Sequence, residues 1–233
     1  MTRSALSMLS AAPPPAHYGH NEPCRIYLVR HGRTLLNAEI RFRGRFEVPL
    51  DDHGRAEAWT AARSLSGAGL SAVYTSPLGR AREVARAVCV ETGVDGHQEL
   101  PGLLNLHYGR WTGLTKQEAA ERDPEQWWLY RHAPELADCP GGEKLAHAAD
   151  RITESLHAIA DRHPGQAVAA ITHGVMIRLA VLRSQRHRSQ DWQIADWEIP
   201  LPTGSAVVFE ASQRGLSVAQ LPSPATTRHT AAA

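Results

Sequence analysis

The stretch Arg25-Ile26-Tyr27-Leu28-Val29-Arg30-His31-Gly32-Arg33-Thr34 decides how the rest of the chain is read. Arg25 to Val29 is a short run of mostly apolar, branched and aromatic side chains, the signature of a buried strand. It ends abruptly on an arginine and a histidine, and Gly32 then permits a close backbone approach to a ligand. Ligands of open α/β sheets bind beyond the carboxyl ends of the strands, so this change from apolar to cationic marks a site as well as a strand end.

Working outward, the same pattern recurs. Ala72 to Tyr74 reads as a strand and runs into Thr75-Ser76-Pro77-Leu78-Gly79-Arg80, where Leu78 to Val90 has a helical pattern. Arg80 then falls in the first helical turn, beside unpaired amides that favour an anion. Glu143 to Arg162 is a long helical pattern closed by His163-Pro164-Gly165. Ala167 to Ile171 is a fully apolar strand leading to Thr172-His173-Gly174, after which Gly174 to Leu182 resumes helix. With a helix at Ala56 to Leu65 and a strand at Ala206 to Phe209, the order predicts an α/β fold: a three-layer domain with a mostly parallel central sheet flanked by helices. No internal repeat interrupts it.

Composition narrows the function classes. At 233 residues with 42% apolar side chains, the chain can bury one full core. The formal charge of +1 argues against nucleic acid or an anionic membrane as partner, so any anion site must be local. Cys24, Cys89 and Cys139 are odd in number and lack paired spacing, which predicts reduced thiols, no metal site and a cytoplasmic location. No apolar run reaches the length of a spanning helix. The segment Met1 to Ala12 is a poor secretion signal because serines break its apolar run. Residues 1–23 are expected to be a disordered leader rich in Ala, Ser and Pro, 24–221 the folded domain, and 222–233 a disordered tail. Within the domain, 99–140 carries Trp111, Trp127, Trp128 and Tyr130 among scattered prolines and glycines. It reads as a partly helical insertion over the sheet edge that shapes a substrate pocket.

Several ordered motifs together resemble the histidine phosphatase superfamily, in its phosphoglycerate-mutase-like branch. Val29 to Thr34 resembles the RHG signature, and Thr172-His173-Gly174 the second-histidine motif. Ser76 to Ala81 resembles the second-arginine segment, Asn37 the asparagine after the signature, and Pro140-Gly141-Gly142-Glu143 the PGGE turn. The pieces span Arg25 to Phe209. An RHG tripeptide alone arises by chance; five ordered pieces on suitable elements carry the assignment.

The resemblance implies that His31 is a nucleophile forming a phosphohistidine, with His173, Arg30 and Arg80 completing the catalytic set. Asn37, Thr34, Arg43 and Gly174 are expected around the phosphate, with no cofactor and a small phosphorylated anion as partner. Relatives often form dimers, so a homodimer is an expected assembly. Physical chemistry fits these roles: attack needs a neutral imidazole, and neighbouring cations disfavour its protonation while attracting a phosphoryl dianion. Taken singly, each of these residues reads as ordinary structure; their joint placement carries the functional reading. Arg43 stands where relatives commonly have a neutral polar residue, and reads either as a partner for extra substrate charge or as solvated surface. Glu143 reads as a helix start.

One position departs from the family. Aligned on Gly109, Trp111 and Gly113, the glutamate expected to protonate the leaving oxygen falls on Asn105, whose amide has no acidic proton to give. An aspartate after the second histidine is also absent, because Gly174 is there. His107 is the nearest substitute acid. Three readings follow: a phosphatase whose leaving group departs as a stable anion or whose acid comes from elsewhere, a weakly catalytic anion- or partner-binding protein, or an enzyme redirected to another reaction in a specialised pathway. A mutase is disfavoured, since return of the phosphoryl group also needs a proton shuttle.

Overall fold

The computed structural model describes residues 22–185, 197, 199–213 and 215–222, so most of the expected leader and tail lies outside the described residues. The elements are β1 (Cys24–Arg30), α1 (Leu35–Ala38), α2 (Asp52–Ser64), β2 (Leu70–Thr75), α3 (Gly79–Thr92) and β3 (Gln98–Glu99). They continue with α4 (Lys116–Arg122), α5 (Pro124–His132), α6 (Leu145–Arg162), β4 (Ala167–Thr172), α7 (Gly174–Gln185), β5 (Ala206–Ser212) and β6 (Gly215–Gln220). The sheet order is β3-β2-β4-β1-β5-β6. β1, β2, β3 and β4 pair in parallel, while β5 and β6 add an antiparallel edge.

Period-two alternation sorts the central strands between two helix layers. Ile26 and Leu28 of β1 and Val168 and Ala170 of β4 face the cluster built with α6 and α7. Val29, Ala169 and Ile171 face the cluster built with α2 and α3. Both strands are thus covered on both faces, which is why they read as nearly continuous apolar runs. Burying each large aliphatic side chain there contributes about 1.5–3 kcal/mol.

Several boundaries differ from expectation for local reasons. Helix α2 begins at Asp52 rather than Ala56, because the Asp51 carboxylate accepts from Gly54 N at 2.7 Å and caps the helix four residues earlier. Helix α6 begins at Leu145 rather than Glu143: Lys144 is extended, and the Glu143 carboxylate is engaged by Arg151 and Arg45 instead of the helix start. Strand β6, not read from the sequence, returns from β5 through a tight turn in which Gly215 has φ 120°. The central segment is partly helical as expected, with α4, α5 and three short 3₁₀ turns. Its Leu103, Leu106, Tyr108 and Trp111 are buried in the cluster of α6 and α7.

Candidate active site

Strand register fixes the site. Arg30 pairs with Thr172 at the parallel ends of β1 and β4, and His31 N donates to Thr172 O at 3.0 Å. His31 and His173 therefore step off adjacent strand ends at one level, and their ring centroids lie 5.1 Å apart. Strand β2 lies on the other side of β4, and Ser76 N donates to Ile171 O at 2.9 Å, bringing a third strand end beside them. Both imidazoles are buried.

Their hydrogen bonds set the tautomers. Nδ1 of His31 lies 2.6 Å from Gly32 O, and a carbonyl only accepts, so the proton sits on Nδ1 and the lone pair on Nε2. That Nε2 is buried without a partner. Ser76 Oγ accepts from Leu78 N at 3.4 Å and lies 2.9 Å from His173 Nε2, to which its own proton is free to go. Nδ1 of His173 is then the protonated nitrogen, and it too is buried without a partner. Burial first, and then Arg80, Arg43 and Arg30, hold His31 well below the ordinary histidine value. Burial, Arg80 and His31 do the same to His173. Both rings are neutral at physiological pH.

Two arginines complete the centre. Arg80, fully buried in the first turn of α3, donates Nη1 to Phe46 O at 2.7 Å and Nη2 to Gly44 O at 2.9 Å, leaving Nε unpaired. Arg30 donates Nη1 to Leu201 O, and its Nε is likewise buried and unpaired. Burial, Arg43 and Arg178 lower Arg30 to about 10, which still leaves it charged at neutral pH. Two neutral imidazoles and two cations with unmet donors form a cradle for a small anion of phosphoryl size.

Comparison with known proteins agrees with this geometry. Residues 26–222 match the family model described as the histidine phosphatase superfamily, branch 1. The chain belongs to the histidine phosphatase superfamily. It is 37% identical over 155 residues to phosphoglycerate mutase-like protein 4 of Arabidopsis thaliana, covering 66% of this chain and 67% of that one. It is 34% identical over 165 residues to the metal-independent phosphoserine phosphatase of the same plant, covering 70% of this chain and 69% of the relative. Among solved structures, YhfR of Bacillus stearothermophilus superposes with a TM-score of 0.73 at 30% identity, covering 84% of this chain and 95% of that one.

In this member of the superfamily the two motif glycines serve packing. A Cβ on Gly32 would sit 2.2 Å from Gly54 O, so its bareness admits the start of α2 rather than a ligand. A Cβ on Gly174 would lie 3.2 Å from Arg30 Nε, so Gly174 gives the guanidinium its place. Thr34 is fully buried, and its hydroxyl and amide both reach Asn37 Oδ1, at 3.0 and 3.1 Å. The structure thus gives Thr34 to the seating of Asn37, and it is Asn37 that lines the adjacent cavity.

That cavity, about 530 Å³, is lined by Arg30 and Gly174, the chain neighbours of the two histidines, and walled by residues of the central segment and α7. Asn105 lines it. The Asn105 amide donates to Gly44 O at 2.9 Å, and its Oδ1 accepts from Leu106 N at 3.0 Å. His107 does not reach the site. It is exposed, its Nδ1 accepts from Gly109 N at 3.2 Å, and it is absent from the cavity wall. Arg43 does line the wall, with its Nε buried, so it is not a solvated surface charge.

Sequence reasoning missed three contributors. Ser76 sets the His173 tautomer, and only its place two residues before Leu78 hinted at more than a helix start. Arg178, one turn along α7 from Gly174, brings a further cation into the cavity. Glu143 is half-buried and accepts from Arg151 Nε and Nη2, at 2.9 and 3.0 Å, and from Arg45 Nη2 at 3.2 Å. Arg45 in turn donates Nε to Asn105 O at 3.1 Å, so the PGGE carboxylate holds the wall that carries Asn105.

Proposed function

We propose that the protein is a phosphoryl hydrolase working through a phosphohistidine on His31, with Asn105 in the place of the usual acid. The observation that carries this reading is the unpartnered, unprotonated Nε2 of buried His31, facing the free nitrogen of His173 within reach of Arg30 and Arg80. The phosphatase names of relatives, such as the metal-independent phosphoserine phosphatase, support the same class of substrate: a small phosphorylated compound.

Phosphoryl transfer depends on positioning and on charge stabilisation at the equatorial oxygens. Nε2 of His31 attacks phosphorus, the bond to the leaving oxygen breaks, and its electron pair stays on that oxygen. The guanidinium groups and the Nδ1–H of His173 hold the negative oxygens. Water then attacks the phosphohistidine, the P–N bond returns its pair to Nε2, and the water proton passes to solvent or product. Asn105 can donate a hydrogen bond to the leaving oxygen and cannot protonate it. The enzyme therefore favours substrates whose leaving group is stable as an anion.

The test is brief incubation with a panel of phosphate esters, acyl phosphates and anhydrides, followed by assay for acid-labile phosphate on the protein. Phosphate is expected on His31 and absent from His31→Ala. Failure of every substrate to label His31, with anion binding intact, would leave a binding protein built on the same pocket.

A further inference from the structure

The cavity outside the phosphoryl cradle has an unusual charge balance. Arg30, Arg41, Arg43, Lys116, Arg131 and Arg178 line it, and among the described residues no carboxylate does. Arg41 is answered from outside the wall by Glu39 and Glu118, each at 3.1 Å. Arg178 spends one nitrogen on Ile199 O at 3.1 Å, and its Nε is buried and unpaired. The Arg43 guanidinium makes no hydrogen bond or ion pair with any described residue, although its Nε is buried.

Cations packed this closely repel one another. Arg43 and Arg178 both depress Arg30, and Arg43 also depresses Arg80 and His31. With Arg43 lacking a counter-charge among the described residues, the wall gains stability when an anion enters, and the charge here exceeds what one phosphoryl group in the inner cradle requires. The proton balance points the same way. Asn105 provides no acid, and the cavity's tyrosines are worse donors than free phenol: burial pushes Tyr108 up to about 12 and holds Tyr130 well above the ordinary phenol value. A leaving oxygen at this site meets positive charge in place of a proton.

We infer that Arg43 and Arg178 form a second anion subsite on the leaving-group side, and that the substrate is a phosphoanhydride whose departing half is itself a phosphate. This inference rests on the phosphohistidine reading and makes it specific. His31 Nε2 bonds to the terminal phosphorus, the bridging P–O bond breaks, and the electron pair stays on the departing phosphate, held by Arg43 and Arg178. Water then releases orthophosphate from His31. The sum is anhydride plus water giving two phosphates and a proton, with no oxidant and no acid required.

The experiment compares kcat/KM for inorganic pyrophosphate and methyl diphosphate with that for p-nitrophenyl phosphate, whose leaving group is also stable but carries no phosphate. The purified full chain is used, alongside Arg43→Gln and Arg43→Lys. The wild-type protein is expected to prefer the diphosphates by at least about 100-fold, the size of one or two charge-assisted contacts. Arg43→Gln lowers that preference about tenfold or more, and Arg43→Lys keeps most of it, which a merely structural arginine would not do. If p-nitrophenyl phosphate labels His31 and turns over while diphosphates are not preferred, the anhydride inference is wrong and the phosphatase reading stands. The anhydride inference fails in the same way if Arg43→Gln lowers all substrates equally. If nothing labels His31, both readings fall.

Discussion

Nε2 of His31 and Nδ1 of His173 belong to rings 5.1 Å apart, and neither nitrogen has a partner among the described residues although both are buried. An unsatisfied buried polar atom costs roughly 1–3 kcal/mol; the oxygens of a bound anion accept from Nδ1–H of His173 and from the guanidinium groups, whereas the lone pair on Nε2 of His31 is met only by bonding to phosphorus or vanadium. Anions of phosphoryl geometry, such as vanadate or orthophosphate, are expected to raise the melting temperature in proportion to the logarithm of concentration. A thermal-shift titration with no response to either ion would contradict the cradle.

The pH dependence follows from the depressed histidines. Catalysis needs neutral His31, whose protonation occurs well below 6.5, so kcat/KM should stay level as pH falls through that value. Stability has the matching sign. The unfolded chain takes up protons near 6.5 while the folded rings do not, so the stability present above 6.5 is lost progressively as pH falls toward the depressed values. An acid limb in kcat/KM centred at or above 6.5 that does not follow the substrate's own phosphate ionisation would show that His31 is not held neutral.

Asn105→Glu is expected to raise turnover of simple alkyl phosphates by about 10²-fold or more, the lower end of what a general acid contributes. The new carboxyl would face Gly44 O, now 2.9 Å from the amide nitrogen, and a carbonyl at that spot favours the protonated acid. Steady-state rates on an alkyl phosphate decide the matter; an unchanged rate would mean that position 105 does not address the leaving oxygen.

Gly174→Ala should leave folding intact and lower kcat/KM roughly tenfold, since small displacements of a positioning group cost that much and more. The new methyl would lie 3.2 Å from Arg30 Nε and must push the guanidinium aside. Gly32→Ala acts differently, because the obstacle at 2.2 Å is the backbone carbonyl of Gly54. It should cost about 1–3 kcal/mol in denaturant unfolding, as overpacking does.

Glu143→Gln should destabilise the fold by about 1–3 kcal/mol, because it leaves Arg151 without its two-pronged carboxylate. Burial opposes the charge on Glu143, yet the Arg151 bonds and charge overcome it and hold the carboxyl below its ordinary value. Its contribution is present above the ordinary carboxylate range and is lost as pH falls through the lowered value. Urea unfolding of wild type and variant at neutral and acid pH reads both effects.

The sequence displays the strands because β1 and β4 are buried on both faces, which forces unbroken apolar runs, and it displays His31 and His173 because polar residues end those runs. What it hides are relationships across chain distance. Nothing local announces that Gly32 packs on Gly54, that Thr34 orients Asn37, or that Arg178 joins Arg43 in one wall. The helix starts at Asp52 and Leu145 escape apolar periodicity because caps and ion pairs set them. His107 reads as available because side-chain direction in an irregular segment is invisible before the fold is known.

The carbonyl of Gly44 receives Arg80 and Asn105 at the same distance, 2.9 Å. One oxygen thereby couples the buried guanidinium of the cradle to the amide that lines the outer cavity. A change of side chain at 105 is thus felt by Arg80 through a shared carbonyl, without any direct contact between the two.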